Sequence, residues 1–459
     1  MKNPLIVPEL LELLEANDRE TLEEIVHAIH PARLAEFVAA LKDEDLWLFL
    51  SAIPKKAAAA IFSNLDLDRQ VELATGANRQ AMARLLEELP HDDRADLVKN
   101  LDPSVADQIL PLVAKADRED IRRLASFEEG TAGALMSSDY ATLHPDMTIE
   151  QALAQIRLQA PSKETIYYIY VTDEQNRLVG FVSLKDLILS RPDQKVRDIM
   201  HEDVITAELN EDQENVARKI EKYDLIAIPV INAERQLVGI VTHDDAMDVI
   251  RQEQQEDVEK LMAISGEHRA GEYLRTPSLQ HFRNRVGWVL ILGILGLFSG
   301  LIVQQYETLL MSFAILAAFM PMLADTGGNT GSQSATLVVR AMALGEVRPT
   351  DFFRVIFKEL KVSLLLAAVL SVVAFIRVWL YYLASEAPPP VTVVRMGATV
   401  SLALGIQVVS ATLLGAILPL LAARFKWDPA VVASPALTTL VDITGLFLFF
   451  SVARLLLPI

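Results

Sequence analysis

Along the first 125 residues, apolar positions recur at three- and four-residue spacing in short runs, each behind a Pro or Asp start signal. "HPARLAEFVAAL", "IPKKAAAAIFSNL", "LPHDDRADLVKNL" and "DPSVADQILPLV" are four such runs. Residues 1–130 therefore read as stacked short helices, an all-α superhelical domain. The period then changes. "IYYIYVTDEQNRLVGFVSLKDLI" (166–188) and "LIAIPVINAERQLVGIVTHDDAM" (225–247) match along their length, with Gly180 and Gly239 set 59 residues apart. Each copy reads as strand, tight polar turn, strand and helix start, behind a helical stretch, "TIEQALAQI" or "DQENVARKI". Two α+β units follow, at 131–198 and 199–250. Next, "MDVIRQEQQEDVEKLMAI" places Ile250, Val258, Leu261 and Met262 near one helical face, and Glu253, Glu256 and Asp257 on the other. This is an acidic connecting helix, assigned to 251–280.

From residue 281 the pattern is apolar, with five candidate spans. Arg285 and Glu307 bracket an uncharged run of 21 residues, enough to cross a hydrocarbon core of about 30 Å. The others lie at 309–341, 360–384, 393–421 and 431–456. Basic residues give the orientation. Arg283 and Arg285 precede the first span. Arg340, Arg348, Arg354, Lys358 and Lys361 join the second to the third, and Arg424 and Lys426 join the fourth to the fifth. Five crossings put these three places on one side, while the alternate connections, "QQYET" and "SEAPPP", hold no Lys or Arg. The N-terminal body is then cytoplasmic and the C-terminus outside.

Charge sharpens the division. Residues 1–280 hold 30 Lys and Arg against 53 Asp and Glu, whereas 281–459 hold 12 against 8. So acidic a body repels phosphate backbones, which argues against a nucleic-acid partner, and it attracts cations. The absence of cysteine excludes disulfides and thiolate sites. All eight histidines precede the first of these spans, so an intramembrane zinc enzyme is excluded, and no nucleophile–base pair points to any other enzyme. "MKNPLIVPELLELLEAND" turns acidic too soon for a secretory signal.

Chemistry concentrates in "MPMLADTGGNTGSQSATLVVR", 320–340, which sets Asp, Asn, Gln, three glycines and five hydroxyl residues inside an apolar region. Lipid cannot solvate these groups, so they face protein or water. Gly327, Gly328 and Gly331 let backbones approach closely or break a helix and free its carbonyls. Thr326, Asn329, Thr330 and Gln333 add neutral oxygens, which suit a hard cation such as Mg²⁺. A polar helix-packing seam accounts for the same spacing. Asp442 stands behind 13 uncharged residues and ahead of 11, at a depth where a carboxylate costs about 2.5–3.5 kcal/mol and normally faces an interior cavity. The alternative is a protonated Asp that holds helices together. Thr438 lies one turn earlier. Arg377, Arg395 and Arg454 sit near span ends and can snorkel, which suits anchoring. Mg²⁺ gives up its water reluctantly, so a pore for it needs few direct ligands and room for a hydrated ion.

The tandem α+β unit resembles a pair of CBS domains. With "ETIYYIYVTDE", "PMLADTGGNTGSQSATLVVRA" and "TTLVDITGLFLFFSVARLLL", nearly the whole chain resembles the MgtE family of magnesium channels. The fold implied is a multidomain α-helical membrane protein: all-α N-domain, CBS pair, acidic connecting helix and five transmembrane helices at 281–459. The resemblance implies a homodimer in a bacterial inner membrane, with its pore on the two-fold axis. Asp442 then carries the Mg²⁺ site, with Thr438 and Asn329 beside it and Asp325 as a second candidate. It also implies that Mg²⁺ on the cytoplasmic domains holds the pore shut. Carried over, the sensing carboxylates fall on Asp92, Asp96, Glu214, Asp224, Asp245, Asp248, Glu253, Glu256 and Asp257. Departures are Ala60, where the family has an acid, Ser434, where some relatives have Asn, and Asp325, where a small residue is expected. CBS pairs often bind adenine nucleotides, and Asp186 and Asp245 stand where a ribose commonly rests, so ATP is a further candidate ligand. Competing readings are a coupled transporter of Co²⁺ or Mn²⁺, an exchanger using Na⁺ or protons, and a non-conducting Mg²⁺ or nucleotide sensor.

Overall fold

A computed structural model describes residues 7–264, 276–384, 391–432 and 435–458. The chain divides into two compact units, Met1–Arg251 and Gln252–Ile459.

In the first unit the four runs quoted above form the helices Pro31–Val38, Lys55–Ser63, His91–Asn100 (α1 here) and Pro103–Ile109. Pro31 and Pro103 open their helices at the first position, Asp102 accepts from Ser104 N–H, and Pro54 and Pro90 stand immediately before the other two helices. Each helix packs on the next but one: Pro31–Val38 on Lys55–Ser63, and Asp43–Ala52 on Leu67–Gly76. That is the winding expected of a superhelix. Leu34, Phe49, Phe62, Leu73 and Met82 form its core.

The repeats give two three-stranded sheets. In the first, β1 (Thr142–Leu143) pairs parallel with β2 (Tyr168–Thr172), and β2 pairs antiparallel with β3 (Leu178–Ser183). In the second, β4 (Ala207–Glu208), β5 (Ala227–Ile231) and β6 (Leu237–Thr242) repeat the order. The two glycines that mark the repeat are equivalent in register, Gly180 opposite Val171 and Gly239 opposite Val230. Their role comes from an exchange between the units. His201, ahead of the second sheet, pairs with Phe181 on β3; Ser137, ahead of the first, pairs with Ile240 on β6. A Cβ at Gly180 would lie 2.8 Å from the His201 carbonyl, and one at Gly239 would lie 2.5 Å from Met136 Sδ. Glycine is what lets each exchanged segment lie down on its sheet.

The helix α2 runs unbroken from His243 to Leu261. Ile250 packs on the core of the second repeat and Leu261 on a buried cluster that includes Ala335, Ala430 and Leu437, yet Val258 and Met262 are exposed. The apolar face read from the sequence is thus shared between several neighbours, not buried as one stripe. Residues 265–275 lie outside the described residues, as does Ser434.

The second unit is built from α3 (Ser278–Gln305), α4 (Ile315–Ala343), α5 (Phe352–Ala384), α6 (Val393–Arg424) and α7 (Pro435–Leu456). Among the described residues four helical segments are long and apolar enough to cross a membrane: α3, α5 with the turn ahead of it, α6 and α7. The fifth expected span differs. A short helix, Glu307–Ser312, precedes α4, which has the length to cross at 29 residues but carries the polar stretch in its middle. The core joins Leu316, Phe319 and Leu323 of α4 to Met396, Val400 and Leu404 of α6 and Phe449 and Phe450 of α7.

Candidate cation pathway and acidic clusters

Of the two structural roles open to the glycines of 320–340, close approach is the one adopted. The helix α4 is continuous from Ile315 to Ala343, so the glycines free no carbonyl by a break; Pro321, which has no N–H, only leaves the Ala317 carbonyl without its helical donor. Thr330 Oγ1 donates back to the Thr326 carbonyl at 2.9 Å, a common way for a helix to satisfy a hydroxyl in an apolar setting. The tightest backbone-to-backbone approach is between α4 and α6, where a Cβ at Gly415 would collide with the Gly331 carbonyl oxygen. On the α7 side, a Cβ at Gly328 would lie 3.3 Å from Thr438 Cγ2.

This packing sorts the polar stretch into two faces. Gly327, Gly331, Ser334, Ala335 and Val338 are buried against neighbouring helices. Asp325, Asn329, Gln333 and Thr336, spaced by four, four and three residues, form an exposed stripe on the other side. Thr438 and Asp442 lie one turn apart on α7, both half-buried, and the contact of Thr438 with Gly328 brings that turn beside Asn329's own turn of α4. Asp325 lies one turn further along the same exposed stripe.

Other charged residues of this unit hold structure. The Arg377 guanidinium sits 5.1 Å over the Phe319 ring, and Arg395 Nε donates to the Leu456 carbonyl at 2.6 Å, capping the end of α7. One carboxylate escaped the sequence reading. Glu359 on α5 is buried and accepts a hydrogen bond from Ser334 Oγ at 2.9 Å. It precedes the apolar run that marked the third span, and only its burial inside the longer helix reveals it.

In the first unit, Asp92 on α1 and Asp245 at the start of α2 are brought together. They gather with Asp93, Asp96, Asp244 and Glu164, of which Asp93, Asp244 and Glu164 were not anticipated. Burial, then the charge of Glu164, pushes the Asp92 carboxyl up to about 7. Burial and then Asp92 push Asp93 to about 8 and Asp245 to about 7. Asp92 Oδ1 is buried with no hydrogen-bond partner. Beside it, His91 lies between Asp120 (2.6 Å) and Asp139 (3.1 Å). Partial burial of Asp120 is outweighed by hydrogen bonds from His91, Arg123 and Ser138, which hold its carboxyl below the usual range.

The remaining expected acids are arranged differently. Glu214 pairs with Arg218 and Asp248 with Arg251, each within its own helix, while Asp224 ends the helix Gln213–Tyr223 in a left-handed conformation. Glu256 pairs with Lys260 at 2.8 Å. Glu253 and Asp257 are half-buried on α2. Among the described residues no three Asp, Glu or His side chains converge closely enough to hold a metal directly. Such crowding suits a cation that keeps its water, as Mg²⁺ does.

Comparison with known proteins fits the two-unit division. Residues 320–452 match the family model described as a divalent cation transporter, 29–130 that of an MgtE intracellular N domain, and 132–192 and 196–252 that of a CBS domain. The magnesium transporter MgtE of Thermus thermophilus is 39% identical over 451 residues, 98% of each chain. The chain belongs to the MgtE family. The MgtE magnesium transporter of Bacillus subtilis is 30% identical, over 98% of this chain and 96% of its own. Among solved structures, the soluble part of a magnesium transporter matches with a TM-score of 0.52 at 33% identity, over 54% of this chain and 97% of that one. The cytosolic domain of the Mg²⁺ channel MgtE in complex with ATP matches with a TM-score of 0.50 at 39% identity, over 52% of this chain and 98% of its own. Membership of a family of magnesium transporters, together with several long apolar helices, makes this a multi-pass membrane protein and not an enzyme.

Proposed function

We propose that this MgtE protein is a Mg²⁺ channel that admits the ion down its electrochemical gradient and is closed by Mg²⁺ on its acidic domains. The observation that carries this reading is the exposed stripe of Asp325, Asn329, Gln333 and Thr336 on α4. A lipid-facing stripe of this kind would leave its polar groups unsatisfied, so it faces a water-filled path or a second copy of the chain. Placing two copies about a two-fold axis, in a bacterial inner membrane, puts both stripes on one pathway. In this arrangement α4 crosses as well and completes the five spans, the acidic unit is cytoplasmic and the C-terminus is outside. Asp442 ligates the ion, with Thr438 and Asn329 supplying neutral oxygens and Asp325 standing further along as a second carboxylate. Few direct ligands suit an ion that crosses partly hydrated.

The regulatory half rests on the gathering of Asp92, Asp93, Asp96, Asp244, Asp245 and Glu164. Like charges held this close favour separation, and a divalent cation among them favours the compact state. Glu214, Asp224, Asp248, Glu253, Glu256 and Asp257 complete the acidic surface, and Ala60 contributes no carboxylate to it. ATP is assigned to the CBS pair, supported by the nucleotide in the related cytosolic domain. Asp186, beside His201 Nε2 at 3.4 Å, suits a ribose near a triphosphate better than Asp245, which stands among other acids.

The test is Mg²⁺ entry into liposomes holding the purified chain, followed with an internal dye. Wild type is expected to admit Mg²⁺ with no counter-ion, and Asp442→Asn to lose about 99% of that flux, since losing the ligand itself should cost at least the upper end of the roughly 10–100-fold that losing a ligand's partner costs. Flux that requires Na⁺ or a proton gradient, or that prefers Co²⁺ or Mn²⁺, would replace the channel with a coupled transporter. Ligand-dependent structural change without any flux would leave a sensor.

A further inference from the structure

Gln407 is fully buried on α6, at the level where α4, α6 and α7 meet. Its Nε2 donates to the Val441 carbonyl at 3.1 Å, on the residue immediately before Asp442. Two glycines make room for it. A Cβ at Gly327 on α4 would collide with Nε2, and so would one at Gly445 on α7. The amide is therefore a wedge between the backbones of α4 and α7, and it is tied to the turn that carries Asp442.

From this geometry we propose that Gln407 is a positioning residue for cation selection, which fixes the rotation of α7 and its spacing from α4. The inference rests on the reading of Asp442 as the pore ligand. Three features carry it. The Val441 carbonyl, besides its place in the helix, accepts from Gln407 Nε2, and that donor comes from α6, so the turn is held from outside its own helix. Reversing the amide would set Gln407 Oε1 against that carbonyl, two acceptors facing each other, so the N–H is the group that belongs there. Finally, Oε1 is buried with no partner, so an apolar side chain of the same shape would serve packing better. What the amide adds is direction. One turn of α7 away, the contact of Thr438 with Gly328 is the second point that spaces α7 from α4. With both points fixed, Asp442 and Thr438 are presented at one distance from Asn329's turn.

Gln407→Met keeps the length of the side chain and removes the amide, at the cost of one heavy atom. In liposomes holding the full-length protein, it is expected to raise the half-saturating Mg²⁺ concentration about tenfold, with maximal flux retained and the preference for Mg²⁺ over Ca²⁺ reduced, as loss of a ligand-orienting partner does. Its thermal midpoint in detergent is expected to stay at or above that of wild type. Gln407→Asn, which withdraws the amide by one methylene, is expected to act in the same direction and stands in if the Met variant does not fold. Wild-type half-saturation and ion preference in a folded variant, with Asp442→Asn inactive beside it, would overturn the positioning role and leave the pore reading intact. Wild-type flux in Asp442→Asn would instead remove the pore reading, and the inference with it.

Discussion

The two units handle carboxylates in opposite ways. The acidic unit crowds them: burial and then their neighbours' charges raise the proton affinity of Asp92, Asp93 and Asp245, and Asp92 Oδ1 has no partner. The apolar unit spaces them out: Glu359 is held by a serine hydroxyl, and Asp325 and Asp442 lie on separate helices. Crowding stores repulsion that a cation or proton relieves, which is what a sensor needs. Sparse, singly placed carboxylates bind weakly enough to release an ion, which is what conduction needs. Both units also place glycines at close contacts, but the neighbours differ. Gly239 faces the flexible Met136 side chain, whereas Gly415 faces the backbone of Gly331.

That last difference gives the largest expected effect. Gly415→Ala sets a Cβ against a carbonyl that cannot move without parting α4 from α6, and is expected to cost about 3 kcal/mol, the upper end of overpacking. Gly239→Ala meets the far end of a methionine and is expected to cost about 1 kcal/mol. Thermal melting of both variants in detergent measures the contrast. Equal costs would mean that the apolar unit is no more tightly fitted than the acidic one.

Proton linkage tests the crowded carboxylates. Because Asp92, Asp93 and Asp245 titrate at about 7, 8 and 7 when folded, against an ordinary value near 4, the folded unit binds more protons than the unfolded chain across roughly pH 4–8. Its stability therefore falls as pH rises through this window, and the full cost is present above about pH 8. Asp92→Asn removes one member of the cluster. Its melting temperature in chelator at pH 8.5 is expected to exceed that of wild type by about 3 °C, the scale on which about 1 kcal/mol registers in a unit of this size. At pH 5 the difference is expected to vanish, and the stabilisation by added Mg²⁺ to shrink. A variant that melts below wild type at pH 8.5 would show that Asp92 is not repelled by its neighbours.

How much of this was legible in the sequence follows the range of each interaction. The tandem repeat and the proline-started helices are local patterns, and the structure returns them at the same residues. The exchange that seats His201 on β3 and Ser137 on β6 is not local, so Gly180 and Gly239 could be read as repeat markers but not as landing sites. In "DTGGNTGSQS" the spacing allowed a broken helix or a packed one, and only the partners Gly415 and Thr438 decide for packing. Glu359 was missed because hydropathy set the span's start after it, although α5 begins at Phe352 and buries it. Gln407 gave no signal beyond the small residues one and two turns on, Ala411 and Gly415, which share its face of α6.

The smallest expected effect lies at the C-terminal end of α2, which belongs to the second unit. Lys260 Nζ bonds Glu256 on its own helix and reaches Asp428, between α6 and α7, at 3.1 Å. Partial burial disfavours the ammonium, but Glu256 and Asp428 outweigh it and lift Lys260 above the usual lysine range. Beside this pair Leu261 packs on the buried cluster that includes Ala335, Ala430 and Leu437, so one ion pair and one apolar contact seat the end of the connecting helix. A partly exposed pair is worth about 0.5–1 kcal/mol, and Asp428→Asn removes it without disturbing Leu261. If the seated helix belongs to the closed state, the variant needs about two to five times more Mg²⁺ to halve the flux, the same energy expressed as a concentration ratio. Raising the salt should narrow the gap between variant and wild type, because the pair is screened while the leucine contact is not. An unchanged Mg²⁺ dependence at low salt would place this seat in both open and closed states, and gating would then act through the crowded carboxylates alone.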